Sequence, residues 1–77
     1  MASKTILVLD KDKFEQIREA RGYKNRTEFI EASGIPRRTF QDVWAANRDI
    51  SGSTVAKFLT ALPRVRFETL FTTKEVG

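Results

Sequence analysis

Four polar side chains with strong hydrogen-bonding chemistry lie close together near the middle of the chain: Arg37, Arg38, Gln41 and Asp42. Spacings of one and four residues place all of them on one face of a helix. On such a face Arg can donate to guanine O6 and N7, Gln can pair with adenine, and Asp can accept from cytosine N4. For Asp42, an ion pair with Arg38 one turn earlier is an equally good explanation. This face therefore has the chemistry needed to read base edges.

Catalysis and metal binding have no comparable candidates. The 77 residues include no cysteine and no histidine, which excludes disulfides, thiolate nucleophiles, zinc-ligand sets and His-dependent triads. Ser33-Gly34 has no partner base and no nucleophile-elbow context. We therefore expect no enzyme activity, no catalytic residue, no metal and no cofactor. The glutamates of the first half are interpreted as solvated helix faces without acid–base pairing: Glu15, Glu19, Glu28 and Glu31.

Length and charge limit the possibilities further. A chain of 77 residues buries only about 60% of its unfolded surface, so we expect residues 1–77 to form one domain. Of the net charge of +4, +3 lies within residues 21–48, around the polar face. No stretch approaches the roughly 20 apolar residues of a membrane span, and the run Ile6–Leu9 is too short for a signal peptide. We expect a soluble cytoplasmic protein without a membrane partner.

The elements that must position the polar face are short helices. Their apolar residues recur at helical spacing, as in the inward stripe expected from Phe14, Ile17 and Ala20. Capping side chains mark where each helix begins, and Gly or Pro marks most of the ends. The predicted helices run from Asp10 or Asp12 to Gly22, from Asn25 to Ser33-Gly34, from Arg37 to Ala46, and from the Ser51–Thr54 cap to Leu62.

The two ends of the chain favour strands. Ile6–Leu9 is short and rich in branched apolar residues, and Phe71–Val76 has high strand propensity. An isolated strand would leave its backbone groups unpaired, so we expect the two segments to form an antiparallel ribbon. Leu70-Phe71, just before the second strand, is expected to close the core in a helical turn. The predicted fold class is mainly α, with four to five short helices and this small two-stranded ribbon.

The second and third predicted helices form a helix-turn-helix unit. They are joined by Ser33-Gly34-Ile35-Pro36, the length of turn that presents the later helix to a DNA groove. Gly34 permits the positive φ of a sharp turn, and Ile35 is expected to fill the angle between the helices. Phe29 and Phe40 would pack the two helices together. The outward face of the later helix is then free to contact a ligand.

These residues resemble the phage-repressor, or Cro-like, helix-turn-helix family. The segment Arg18-Glu19-Ala20-Arg21-Gly22-Tyr23 is similar to the Arg-Gly pair that ends the family's first helix. Residues 27–40 resemble its Glu-Leu-Ala stretch, its Gly-Ile turn and its Arg-x-Thr-Ile start, and Leu70-Phe71 resembles its closing Leu-Phe. The resemblance covers about residues 13–71. The sequence departs from the family pattern at Ile30 and at Pro36, and it has one extra residue near Lys24. It also has Arg26 at a position where the family often has a phosphate-contacting Gln.

The resemblance implies a sequence-specific DNA-binding transcriptional regulator, a small phage or mobile-element repressor in a bacterial or phage-infected cell. Its base-reading residues would be Arg37, Arg38, Gln41 and Asp42. The residues expected to contact backbone phosphates are Arg26, Thr39, Asn47 and Arg48. Thr39 could instead contact a thymine methyl group. One such unit reads few base pairs, so we expect a homodimer on a pseudo-palindromic operator. The predicted dimer surface is the ribbon edge or Leu70-Phe71.

A protein-binding module is the alternative function. The same fold can serve unrelated functions, so an anti-repressor or antitoxin-like protein could retain the helix-turn-helix scaffold. The scaffold or its strands would then grip a partner regulator protein, without sequence-specific DNA binding.

Overall fold

The computed structural model describes residues 4–46 and 48–76. The chain is mainly helical with a two-stranded sheet, as predicted. Among the described residues, no helix is long and apolar enough to cross a membrane. In chain order the elements are β1 (Lys4–Leu9), α1 (Lys11–Ala20), α2 (Arg26–Ser33), α3 (Arg37–Ala45), α4 (Gly52–Ala61), α5 (Phe67–Leu70) and β2 (Phe71–Val76).

The ribbon joins the two ends of the chain. β1 and β2 pair antiparallel along their whole length, which confirms the predicted pairing. The outer edge of β1 is covered by the segment that follows α3. There the Leu7 N–H donates to Asp49 Oδ1 at 2.6 Å, and the Ile50 N–H donates to the Leu7 carbonyl at 3.3 Å. On β2, residues 72–75 are exposed.

Packed phenylalanine rings form the centre of the core. Phe14 and Phe29 meet edge-on at 5.0 Å, and Phe58 lies 5.4 Å from Phe29 and 5.9 Å from Phe14. All three are completely buried, and such aromatic pairs add about 0.5–1.5 kcal/mol each beyond the area they bury. Phe40 joins this cluster from α3 at 6.2 Å from Phe29. The core therefore ties α1, α2, α3 and α4 together.

Three helices begin at caps that the sequence predicts. The side chains of Asp10, Asn25 and Ser51 accept from backbone N–H groups three residues later. At α2 the Glu28 carboxylate also reaches back and accepts from the Lys24 N–H at 2.9 Å, a variant of the capping box. These bonds satisfy amides that the first turn of a helix leaves free, so local sequence determines where these helices start.

Three local predictions are wrong. Ala20 is exposed, and Arg18 lies on the buried side of α1 instead, because position i+4 from Phe14 faces the core more directly than i+6. α3 ends at Ala45, since Ala46 adopts a left-handed conformation with φ 58°. Leu70 is completely buried and Phe71 is 4% exposed. Leu70-Phe71 therefore closes the chain's own core, as its helical turn predicts, and offers no dimer surface.

Candidate nucleic-acid interface

The turn between α2 and α3 is tightly defined. Gly34 has φ 74° and its N–H donates to the Ile30 carbonyl at 3.2 Å. Ser33 Oγ donates to the same carbonyl at 3.0 Å and accepts from the Ile35 N–H at 3.3 Å. Ile35 is only 3% exposed. Because the turn is hydrogen-bonded and its apolar residue is buried, α3 leaves α2 in a fixed direction.

α3 presents the four predicted base-reading residues together on its solvent face. All four are exposed, whereas Phe40 and Val43 on the opposite face are buried. A nine-residue helix is about 12 Å long from its first Cα to its last. Among the described residues, no ion pair joins Arg38 to Asp42. The exposed set is Arg37, Arg38, Gln41 and Asp42.

The first turn of α3 combines two sources of positive potential. Pro36 is its N-cap residue and supplies no side-chain hydrogen bond, and the turn contains no acidic residue. Arg37 and Arg38 thus lie at the positive end of the helix dipole, a position that is unfavourable for a cation by about 0.3–1 kcal/mol. A bound anion would relieve both the free amides and the two cations.

A groove of about 320 Å³ runs between α2 and α3. Its floor is apolar, with Ile30 and Phe40 nearly buried and Trp44 partly buried. Arg26 and Arg37 line it with exposed guanidinium-bearing side chains. The remaining lining residues are Thr27, Gln41 and Ala45. The groove therefore pairs an apolar floor with cationic walls, directly beside the exposed face of α3.

Arg26 is held in this groove by side chains from two other helices. Its Nε donates to Glu15 Oε1 at 3.1 Å, and its guanidinium carbon lies 4.1 Å from the centre of the Trp44 ring. Trp44 in turn stacks on Phe40 at 5.9 Å with an interplanar angle of 16°. The Arg26 side chain nevertheless remains 50% exposed. The Arg26 side chain is thus oriented by Glu15 and Trp44 and remains accessible to solvent.

Glu15 is the residue of this region that sequence reasoning missed. Interpreting it as a solvated glutamate is wrong, because its side chain is 31% exposed and accepts from both Arg26 and Arg18. Arg18 Nη2 donates to Glu15 Oε2 at 2.8 Å, and Nη1 donates to the Tyr23 carbonyl at 2.5 Å. The i, i+3 spacing of Glu15 and Arg18 was the available signal.

Ionisation follows this geometry. The hydrogen bond from Arg18 lowers the pKa of Glu15 below its ordinary value; partial burial opposes this shift, and the hydrogen bond from Arg26 adds to it. The same hydrogen bond raises the pKa of Arg18. Both groups are therefore charged at neutral pH, and the carboxylate bridges two guanidinium groups.

The other predicted phosphate contacts are more dispersed. Thr39 is half-buried on the side of α3 away from the groove-lining residues. Arg48 is exposed in the segment that follows α3. Asn47 lies outside the described residues. The structure thus brings Arg26 next to the α3 face, and it does not bring Thr39 or Arg48 into the groove beside that face.

Comparison with known proteins provides no relative. No family model, curated protein or solved structure matches the chain. The likeness to Cro-like repressors consequently remains a prediction from the residues quoted above, and function has to be inferred from the α2–α3 surface.

Proposed function

We propose that the protein is a sequence-specific DNA-binding transcriptional regulator, a small repressor of phage or mobile-element type acting in the bacterial cytoplasm. The observation that carries the proposal is the exposed face of α3, where Arg37, Arg38, Gln41 and Asp42 are held together. None of its three charged residues forms an ion pair within the described part of the chain. Charged side chains left without partners on a rigid helix are available to a ligand.

DNA fits this face in shape and in chemistry. A major groove about 12 Å wide admits one α-helix, and α3 exposes one face to solvent while Phe40 and Val43 on its other face pack in the core. Arg37 and Arg38 suit guanine, Gln41 suits adenine, and Asp42 suits cytosine N4. We propose that the contacts to backbone phosphates are made by Arg26, Thr39, Asn47 and Arg48. Such contacts fix the register without reading sequence.

The homodimer that a pseudo-palindromic operator requires is proposed to form at the free edge of β2. Leu7 lies opposite Thr73, and Leu7 bonds to Asp49 and Ile50 rather than to β2. In an antiparallel ladder the backbone N–H and C=O of Thr73 therefore point away from β1, to the open edge. An exposed edge of this kind pairs readily with a second strand. Half-sites should then lie about 34–36 Å apart.

Selection of bound sequences from a random DNA pool tests the proposal most directly. We expect an enriched, two-fold related motif, and a dissociation constant that rises linearly in a log–log plot against salt concentration. The contrary result is no shift on any DNA together with tight binding to a partner regulator protein. That outcome would establish the protein-binding module in its place.

A separate variant tests the dimer. Thr73→Pro removes the N–H that faces the open edge but leaves the bonds between β1 and β2 in place. We expect this variant to be a monomer in analytical ultracentrifugation and to have a near-native circular dichroism spectrum. Thr72→Pro, which removes an N–H facing β1, is the matched control and should lower the thermal midpoint instead. A Thr73→Pro protein that still dimerises would place the interface elsewhere.

A further inference from the structure

Arg26 differs from an ordinary surface arginine because two side chains hold it. Glu15 lies on α1 and Trp44 on α3, and both contact the guanidinium of Arg26, the first residue of α2. The Nε–H donates to Glu15 Oε1 at 3.1 Å, and the guanidinium carbon lies over the Trp44 ring, 4.1 Å from its centre. A planar guanidinium with one edge and one face occupied has little freedom left.

The groups that remain on Arg26 are the ones suited to an oxyanion. Nε is bonded to Glu15, and neither Nη group has a hydrogen-bond partner among the described residues. The side chain is half exposed and lines the groove beside Arg37. Parallel N–H groups on one guanidinium match two oxygens of a phosphate, and charge-assisted bonds of this kind are about twice as strong as neutral ones.

Glu15 can orient Arg26 because it is itself fixed. Its second oxygen accepts from Arg18 at 2.8 Å, and the Arg18 residue is only 7% exposed. Arg18 is anchored again through the Tyr23 carbonyl. The bonds therefore run from a buried guanidinium through a carboxylate to the surface guanidinium of Arg26.

We propose that Glu15 and Trp44 are positioning residues that hold Arg26 ready to bind a backbone phosphate of DNA. This inference rests on the proposed DNA-binding function and assigns a role to an acidic residue on a DNA-facing surface. Ordering a long side chain only at the moment of binding lowers affinity by about three- to tenfold. A guanidinium oriented before DNA arrives avoids that loss.

The charge of Glu15 acts in the opposite direction, because a carboxylate near DNA repels phosphate. The two effects separate in a double-mutant cycle. In the Arg26 protein, Glu15→Gln removes the repulsion and weakens the positioning, because a neutral amide has one acceptor oxygen where the carboxylate bonds two guanidinium groups. In an Arg26→Ala background, the same change removes the repulsion alone, since no guanidinium remains to be positioned.

The cycle is measured on the DNA sequence selected by the wild-type protein, at one fixed salt concentration. We expect Glu15→Gln to weaken binding about three- to tenfold with Arg26 present, and to leave it unchanged or tighten it in the Arg26→Ala background. Glu31→Gln, the same charge change at an exposed position of α2, is the matched control and should not weaken binding. An equal fold-change in both backgrounds overturns the positioning role.

Arg26→Lys keeps the inference testable should Glu15→Gln fail to fold, because Arg26 is half exposed. Lysine keeps the charge but has no planar fork to bond Glu15 and phosphate together. We expect binding about three- to tenfold weaker with an unchanged salt slope; affinity equal to wild type overturns the inference. A wild-type protein that binds no DNA overturns the proposed function, whereas normal wild-type binding with an additive cycle overturns the positioning role alone.

Discussion

Arg26 and the Arg37–Arg38 pair are cations on the same surface, but the structure supports them differently. Arg26 is bonded to Glu15 and stacked on Trp44. Arg37 and Arg38 are exposed and form no ion pair in the described part of the chain. One guanidinium is therefore held by two side chains, whereas the other two have no ion-pair partner among the described residues.

This difference matches the two tasks of the DNA-binding surface that we propose. Phosphates recur at regular positions along any duplex, so a fixed donor suits them and contributes no sequence preference. Base edges differ from site to site, and a side chain that reads them must adjust to one pattern. Ordering such a side chain on binding costs about 0.5–1.5 kcal/mol. Hydrogen bonds to the correct bases offset this cost, whereas contacts with wrong bases do not. We expect Arg26 to set affinity and Arg37 and Arg38 to set specificity.

Removing the support of the held arginine should have the largest effect on the protein. Arg18→Ala deletes a 7% exposed side chain together with its charge-assisted bonds to Glu15 and the Tyr23 carbonyl. We expect the free energy of unfolding to fall by about 3 kcal/mol, measured by urea denaturation. Lys13→Ala, at an exposed position on α1, is the control and should change it by less than about 0.5 kcal/mol. A similarly small effect of Arg18→Ala would show that the buried guanidinium does not stabilise the folded protein.

A free arginine should instead control sequence preference. Arg38→Ala removes a donor proposed to read a base, so we expect a loss of about 2 kcal/mol on the selected sequence and a much smaller loss on random DNA. Competition band shifts measure both. Lys57→Ala, at an exposed position of α4, changes the net charge equally and should not alter the ratio. If Arg38→Ala weakened specific and random DNA equally, Arg38 would not read a base.

The held arginine should lack that selectivity. Arg26→Ala is expected to weaken selected and random DNA alike, by about 1 kcal/mol, and to reduce the slope of log affinity against log salt by about one. Arg48→Ala should act in the same direction from the loop after α3. A loss confined to the selected sequence would mean that Arg26 reads a base or a DNA shape, and the distinction between the two kinds of arginine would disappear.

The contrast also shows what can be predicted from sequence. Caps at Asp10, Asn25 and Ser51 and the turn at Gly34 depend on interactions within a few residues, so helix starts follow from local pattern. The exposed face of α3 is likewise a matter of helical spacing. The early end of α3 was not predictable, because Ala46 adopts a conformation usually left to Gly.

The support of Arg26 depends on tertiary contacts. Glu15 and Arg18 are three residues apart, but Glu15 and Arg26 are separated by eleven residues and meet only because α1 packs against the start of α2. The stacking of Trp44 on Arg26 similarly requires the angle between α2 and α3. Periodicity can show that Glu15 lies beside Arg18, yet it contains no information on which distant cation completes the bridge.

The smallest expected effect is on the acid stability that Glu15 contributes. Its pKa is lowered in the folded protein, mainly by the hydrogen bond from Arg18, so the folded state binds a proton less readily than the unfolded chain, where the pKa has the ordinary value of a glutamate. The stabilisation is therefore complete above the unfolded pKa and is lost as pH falls through the folded value. We expect the difference in unfolding free energy between wild type and Glu15→Gln to stay constant from about pH 7 to pH 5 and to shrink by up to about 1 kcal/mol in more acidic solution. Denaturant titrations across this range measure it, and a difference that grew on acidification would contradict the bridge between Arg18 and Arg26.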